Sequence, residues 1–178
     1  MIVVVWIVPR WAGLALLLVG TTAALTIEWA RFHLRFVRYH FLRITRRLLR
    51  APERTGLSGA TYMSIGYLTV LVLFPKTIAV LAMLYSALGD ATAAVVGTRW
   101  GRHRMSWGKS WEGMLAGLVV NLAAGAALPG VGPASIVLGG LTASILEFLP
   151  LPLDDNLKTT IGGGTGAWVG LLLDSALG

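Results

Sequence analysis

Three acidic residues lie in apolar stretches of the chain, each on a helical face of small or hydroxyl-bearing neighbours. Asp90 shares its face with Ser86, Ala93, Ala94 and Gly97, Glu147 with Gly140, Ala143 and Ser144, and Glu28 with Thr21, Ala24 and Arg31. An ionised carboxylate in an apolar helix is expensive unless it faces protein or water, which makes each a candidate site residue. Glu28 and Arg31, three residues apart, read equally well as an ion pair at a helix end. A basic loop between residues 98 and 111 carries Arg99, Arg102, Arg104 and Lys109 with Ser110, and a further loop carries Asp154, Asp155 and Lys158. Cations on a flexible loop opposite several carboxylates suit a polyphosphate held jointly by cations and a divalent metal.

Other chemistries are excluded. There is no cysteine, which removes thiol nucleophiles, zinc thiolates and iron-sulfur clusters. His33, His40 and His103 sit in arginine-rich segments without ligand spacing. Gly108-Lys109-Ser110 imitates the end of a P-loop, but His103 stands where its first glycine belongs. The run IGGGTG from Ile161 opens an apolar helix with no strand before it, so it is no dinucleotide fingerprint, although its amides are placed to hold a phosphate.

The elements that position these residues follow from composition. Of 178 residues, 56% are hydrophobic and 13% charged, the balance of an integral membrane protein. The expected fold is all-α: a single domain over 1–178, a polytopic transmembrane helical bundle of about six spans. The spans fall near 11–30, 57–74, 77–97, 112–128, 133–149 and 161–177. Residues 2 to 8 read as a short outer extension of the first. Eight arginines between 31 and 54, and the bases between 99 and 109, hold those loops on the cytoplasmic side. The loop around Asp154 then joins them, and seven of the eight acids fall at or near that face. The net charge of +7 is thus topological rather than a mark of nucleic acid. Residues 31 to 50 read as one basic amphipathic interfacial helix, with seven arginines on one half and Leu34, Val37, Phe41, Ile44 and Leu48 on the other. Gly113 and Gly117, and Gly162, Gly166 and Gly170, recur every four residues as packing surfaces.

The stretch GDATAAVVGTRWGRHRMSWGKSWEGMLAG, residues 89 to 117, resembles the core motif of the CTP-dependent polyprenol and lipid kinases, a family that includes dolichol kinase, phytol kinase and the CTP-dependent diacylglycerol kinase. Those proteins carry Gly-Asp followed by small residues, a glycine-rich turn, then Lys-Ser-x-Glu-Gly. Two flanks agree, PERTGLSGATYMSIGYLTVLVLFP at 52 to 75 and LEFLPLPLDDNLKTTIGGG at 146 to 164. The related phosphatidate cytidylyltransferases have a C-terminal signature with no counterpart here, which favours phosphoryl over nucleotidyl transfer.

The resemblance implies a membrane enzyme that passes the γ-phosphate of CTP, with Mg²⁺, to the hydroxyl of a membrane lipid alcohol. On that reading Asp90 meets the metal, with Asp154 or Asp155 and Glu147 completing the carboxylate shell. Lys109 and Arg102 hold the triphosphate, and Ser110 and the amides near Gly108 add hydrogen bonds. Glu112 orients Lys109, and Asn156 bonds a phosphate or the ribose. Gly89, Gly97 and Lys158 complete the nucleotide-binding set, and either Asp90 or Glu147 takes the proton of the hydroxyl. The expected partners are CTP, the lipid alcohol and anionic lipid headgroups, with a homodimer left open and no nucleic acid. The expected location is the cytoplasmic membrane, with the site on its cytoplasmic side and the alcohol entering sideways between spans. The alternatives are a CDP-lipid-forming cytidylyltransferase and a small membrane transporter, which should show an internal repeat that is not found here.

Overall fold

In the computed structural model, residues 1–45, 49 and 52–177 are described. Among these no strand occurs; one isolated antiparallel bridge joins Arg104 to Ser110. The helices are α1 (Ile2–Ile7), α2 (Arg10–His33), α3 (Arg35–Thr45), α4 (Gly59–Leu73), α5 (Lys76–Leu84), α6 (Asp90–Trp100), α7 (Trp111–Ala127), α8 (Pro133–Phe148) and α9 (Asp155–Leu177). A π-turn over Tyr85–Gly89 welds α5 to α6, and a 3-10 turn, Pro52–Arg54, precedes α4.

Helices occupy all six expected spans. Two of them, Arg10–His33 and the continuous Lys76–Trp100, are long and apolar enough to cross a membrane, whereas Gly59–Leu73, Trp111–Ala127 and Pro133–Phe148 are shorter apolar helices. At 1.5 Å per residue, a helix such as α4 reaches roughly 23 Å. The centre of the bundle is α5, whose residues Ile78 to Met83 are all buried. Against it pack Val70 and Leu71 of α4 and Ala167 of α9.

Two helix pairs approach closely because glycine lines the contact. A β-carbon on Gly113 of α7 would stand 2.6 Å from the Ala93 carbonyl oxygen of α6, and one on Gly117 would stand 3.0 Å from that of Gly89. Between α8 and α9, a β-carbon on Gly166 would meet the Leu138 carbonyl oxygen at 2.7 Å. The four-residue glycine spacing therefore does bring backbones together.

Two expectations are corrected. Residues 2 to 8 do not extend the first span: the chain breaks at Pro9, and α1 folds back so that Val5 is buried. Lys76 holds it there, donating to the Trp6 and Val8 carbonyls at 2.6 and 2.7 Å, as a cation at a helix C-terminus should. Nor do residues 31 to 50 form one helix, because Leu34 is extended, with φ −109° and ψ 110°, and ends α2. Arg31 faces the interior at 2% exposure instead of lying with the other arginines. In α3, Val37 and Phe41 turn inward and Arg35, Arg38 and Arg43 outward, but Ile44 is exposed as well. Arg46, Arg47, Leu48 and Arg50 lie outside the described residues.

Candidate active site

The π-turn ends at Asp90, so the carboxylate enters at the first residue of α6, directly after a change in helical register. Such turns gather at functional positions because they re-aim a side chain without breaking the helix. Ala93, Ala94 and Gly97 line the same cavity as Asp90, as their spacing predicts. Ser86 does not, since it lies within the π-turn, buried and without a hydrogen-bond partner among the described residues.

Lys109 arrives on a hairpin-like loop between α6 and α7. The Met105 amide donates to the Lys109 carbonyl at 2.7 Å and the Gly108 amide to the Met105 carbonyl at 2.9 Å. Gly108 closes the turn at φ +90°, a conformation that glycine adopts without steric cost. Ser110 then caps α7, accepting from the Gly113 amide at 3.1 Å. Arg104 pins the loop to the end of α6, donating to the Gly97 carbonyl at 2.6 Å.

Two acids meet the ammonium, and a third stands beside them. Lys109 Nζ donates to Glu147 Oε1 at 2.7 Å and Asp155 Oδ2 at 2.9 Å, and also to the Glu147 carbonyl. Lys158 Nζ meets Asp155 Oδ1 at 2.7 Å and the Leu149 carbonyl at 2.7 Å. One oxygen each of Asp90, Glu147 and Asp155 lies within 4.8 Å of the others. Burial alone would lower the Lys109 pKa, but its bonds to Glu147 and Asp155 outweigh that and hold it above the ordinary lysine value. Burial likewise opposes ionisation of Asp155, yet the two lysines hold its pKa below the usual carboxylate value. The cavity over this cluster has a volume of about 280 Å³ and is walled further by Arg104, Trp107 and Ser110.

The hard carboxylate oxygens at this separation fit a divalent cation such as Mg²⁺. Carboxylates and lysines set side by side under a cavity suit a cation that arrives with a polyphosphate.

Several residues expected here stand elsewhere. Glu112 does not orient Lys109: it accepts from His103, with Oε1 to Nδ1 at 2.6 Å. The cause is the hairpin, which folds His103 over the first turn of α7 and aims Lys109 the other way. The Gly108 amide is spent on the turn and offers nothing to a ligand. Arg102 is exposed and outside the cavity, where Arg104 stands instead. Asp154 accepts from the Asn156 amide at 3.0 Å and so caps α9 rather than joining the carboxylate cluster. Asn156 Nδ2 donates to the Gly59 carbonyl at 3.3 Å, away from this cavity. Lys158, 6% exposed, steadies Asp155 without lining the cavity, and Gly89 packs beneath it against Asn121.

Trp107 was not singled out by residue type or spacing. It lines the cavity, its indole N–H donating to the Phe148 carbonyl at 3.0 Å. An indole in a loop between apolar segments is the interfacial signature that could have marked it.

Fold and site together define an all-helical protein with a carboxylate and lysine cluster under a polar cavity at one end of its apolar helices. The chain is similar to the CTP-dependent diacylglycerol kinase 1 of Schizosaccharomyces pombe, 30% identical over 58% of this chain and 49% of that protein. It is also similar to the phytol kinase of a Synechocystis strain, 35% identical over 53% of this chain and 45% of that protein. An uncharacterized Rickettsia prowazekii protein is 32% identical over 60% of this chain and 53% of its own length. These relatives support the CTP-dependent lipid kinase family. The chain spans about half the length of the curated relatives it matches. No family model matches it, and no solved structure does.

Proposed function

We propose that this protein is a membrane-embedded kinase that transfers the γ-phosphate of CTP to the hydroxyl of a lipid alcohol, with Mg²⁺ as cofactor. The observation that carries the reading is the meeting of Asp90, Glu147 and Asp155 with Lys109 under one cavity. The names of the kinase relatives point the same way.

Phosphoryl transfer needs positioning and charge neutralisation more than covalent help from the protein. Asp90, Glu147 and Asp155 would hold Mg²⁺, which would neutralise the phosphate oxygens. Lys109 turns from its carboxylates to those oxygens, and Lys158 keeps Asp155 ionised and in place. Arg104 faces the same cavity and adds charge, and Trp107 offers the base an apolar ring. The acceptor oxygen forms a bond to Pγ as the bond from Pγ to the β-bridging oxygen breaks. CDP leaves, and the hydroxyl proton passes to Asp90 or Glu147.

On this reading six helices lie in the membrane. Exposed apolar side chains on α2 and α9, among them Leu18, Val19, Leu172 and Leu173, face lipid. The loops at 52–58, 101–110 and 149–154 share the cytoplasmic face. Arg38, Arg43 and Arg54 line one cavity of about 520 Å³, which suits anionic lipid headgroups.

The test is incubation of the purified protein with γ-labelled CTP, Mg²⁺ and a set of prenols and diacylglycerols. Label in a lipid monophosphate, with CDP released, is the expected result. CMP-lipid with pyrophosphate would assign a cytidylyltransferase instead, and no product with any acceptor would overturn the reading. Single cysteines at Thr55, Ser106 and Leu151, all exposed, should be labelled from one face of oriented vesicles.

A further inference from the structure

Asp90 is shared by two of the larger cavities, which are otherwise lined by different residues. One is the polar cavity under Lys109. The other, of about 560 Å³, is enclosed by α2, α3, α4 and the stretch leading into α4. Its lining is mixed: Asp90, Asn156 and Glu53 are polar, Glu28, Ser58 and Thr61 are polar but bonded to one another, and Ala24, Ile27 and Met63 are apolar. Ile27 is 49% exposed and is shared in turn with a shallow cavity of about 570 Å³ that runs along α2 past Leu18 and Val19. A polar chamber, an amphipathic chamber and an apolar groove thus follow in series, joined at Asp90 and at Ile27.

We propose that the amphipathic chamber between α2 and α4 is the acceptor site of the kinase proposed above, on which this inference rests. Its hydroxyl-bearing end lies at Asp90, and its hydrocarbon chain passes Met63 and Ile27 to the outer face of α2. The bipolar lining matches an amphiphile. A buried hydroxyl needs a hydrogen-bonding partner, which Asp90 and Asn156 provide, and beyond them Ala24, Ile27 and Met63 give the chain apolar side chains to lie against. The placement also fits the reaction, which requires the attacking and leaving oxygens roughly in line on the phosphorus. The acceptor oxygen comes from the α4 side, its O–H bond breaking as its bond to Pγ forms. CDP departs on the Lys109 side, and the proton passes to Asp90. Because lipid tails are as apolar as the chamber wall, the chain gains little by leaving the bilayer. The chamber acts by holding the hydroxyl in place.

Two substitutions fill the chamber without touching the polar cavity, Met63→Trp and Ala24→Trp. Each should raise the KM for a long-chain prenol in mixed micelles at least about tenfold, with the Kd for Mg²⁺-CTP unchanged. A prenol carrying a diazirine close to its hydroxyl should cross-link to peptides of α2 and α4, and both substitutions should abolish that label. The cross-link is read without turnover and on the wild-type chain, so it decides the matter even if the substituted proteins fold poorly. Transfer by the wild type with cross-links confined to α7 or α8, or an unchanged prenol KM in folded Met63→Trp, would overturn the acceptor site and leave the kinase reading intact. Failure of the wild type to transfer phosphate, with the α2 and α4 cross-link present, would overturn the kinase reading alone.

Discussion

Two acid and base clusters stand at the same end of the bundle, and they differ in what the cations leave open. At the foot of α2, Glu28 accepts from Arg31, from the Ser58 amide at 2.9 Å and from the Thr61 hydroxyl at 3.0 Å. Arg31 also donates to the Glu53 carbonyl at 3.0 Å and to the Gly56 carbonyl, with the rings of Phe32 and Phe41 against its guanidinium. Both residues are nearly fully buried, at 3% and 2% exposure, and the pair fastens the chain before α4 to α2. In the second cluster Lys109 is a quarter exposed and sits under a cavity, so its bonds to Glu147 and Asp155 can be exchanged for those of a ligand. Glu28 also borders the chamber between α2 and α4, but its oxygens are already taken by Arg31, Ser58 and Thr61, whereas the Lys109 network keeps charge to give to its cavity.

The largest effect expected from breaking this comparison is on stability. Arg31→Met leaves the Glu28 carboxylate buried beside two neutral donors, which should cost about 3–5 kcal/mol. Denaturant unfolding in detergent measures it, and the folded fraction should bind Mg²⁺-CTP with wild-type affinity. If Arg31→Met is as stable as the wild type, the first cluster is not the clamp described.

Asp90→Asn should do the reverse, lowering turnover at least about a hundredfold, the scale of losing a key electrostatic group, with the unfolding midpoint unchanged. A well-folded Asp90→Asn protein that keeps most of its activity would move the metal to Glu147 and Asp155.

Lys109→Gln should raise the KM for CTP about tenfold and leave the prenol KM as it is, which sharpens the contrast by separating the two substrates.

The smallest effect expected is a pH response. The Lys109 pKa is raised on folding, so its contribution to stability is full below the unfolded lysine value and fades only as pH climbs through the folded one. That of Asp155 is lowered, so its contribution is full above the unfolded carboxylate value and fades as pH falls through the folded one. The loss of unfolding midpoint above about pH 10 should therefore be larger in the wild type than in Lys109→Met. An equal alkaline loss in both would show that the ion pair does not form.

Residue type and spacing alone determined that the chain is helical, where its apolar helices run, and that Asp90, Glu147 and Lys109 deserve to be weighed together, because hydropathy and helical periodicity are local properties. They also marked the glycine seams. They left the role of Glu28 and Arg31 undecided, since i,i+3 spacing is the same for an ion pair at a surface and for a sealed clamp. Only the tertiary structure brought residues 53 to 61 over that pair. Three arginines in the loop before Lys109 are alike in sequence. It is the hairpin closed at Gly108 that turns Arg104 to the cavity, leaves Arg102 outside and pairs Glu112 with His103. The choice of Asp155 over Asp154 was likewise decided in three dimensions, because the start of α9 needs a cap and Asp154 provides it. Adjacent identical side chains differ only in the direction the backbone gives them, and that direction is fixed by contacts distant in sequence.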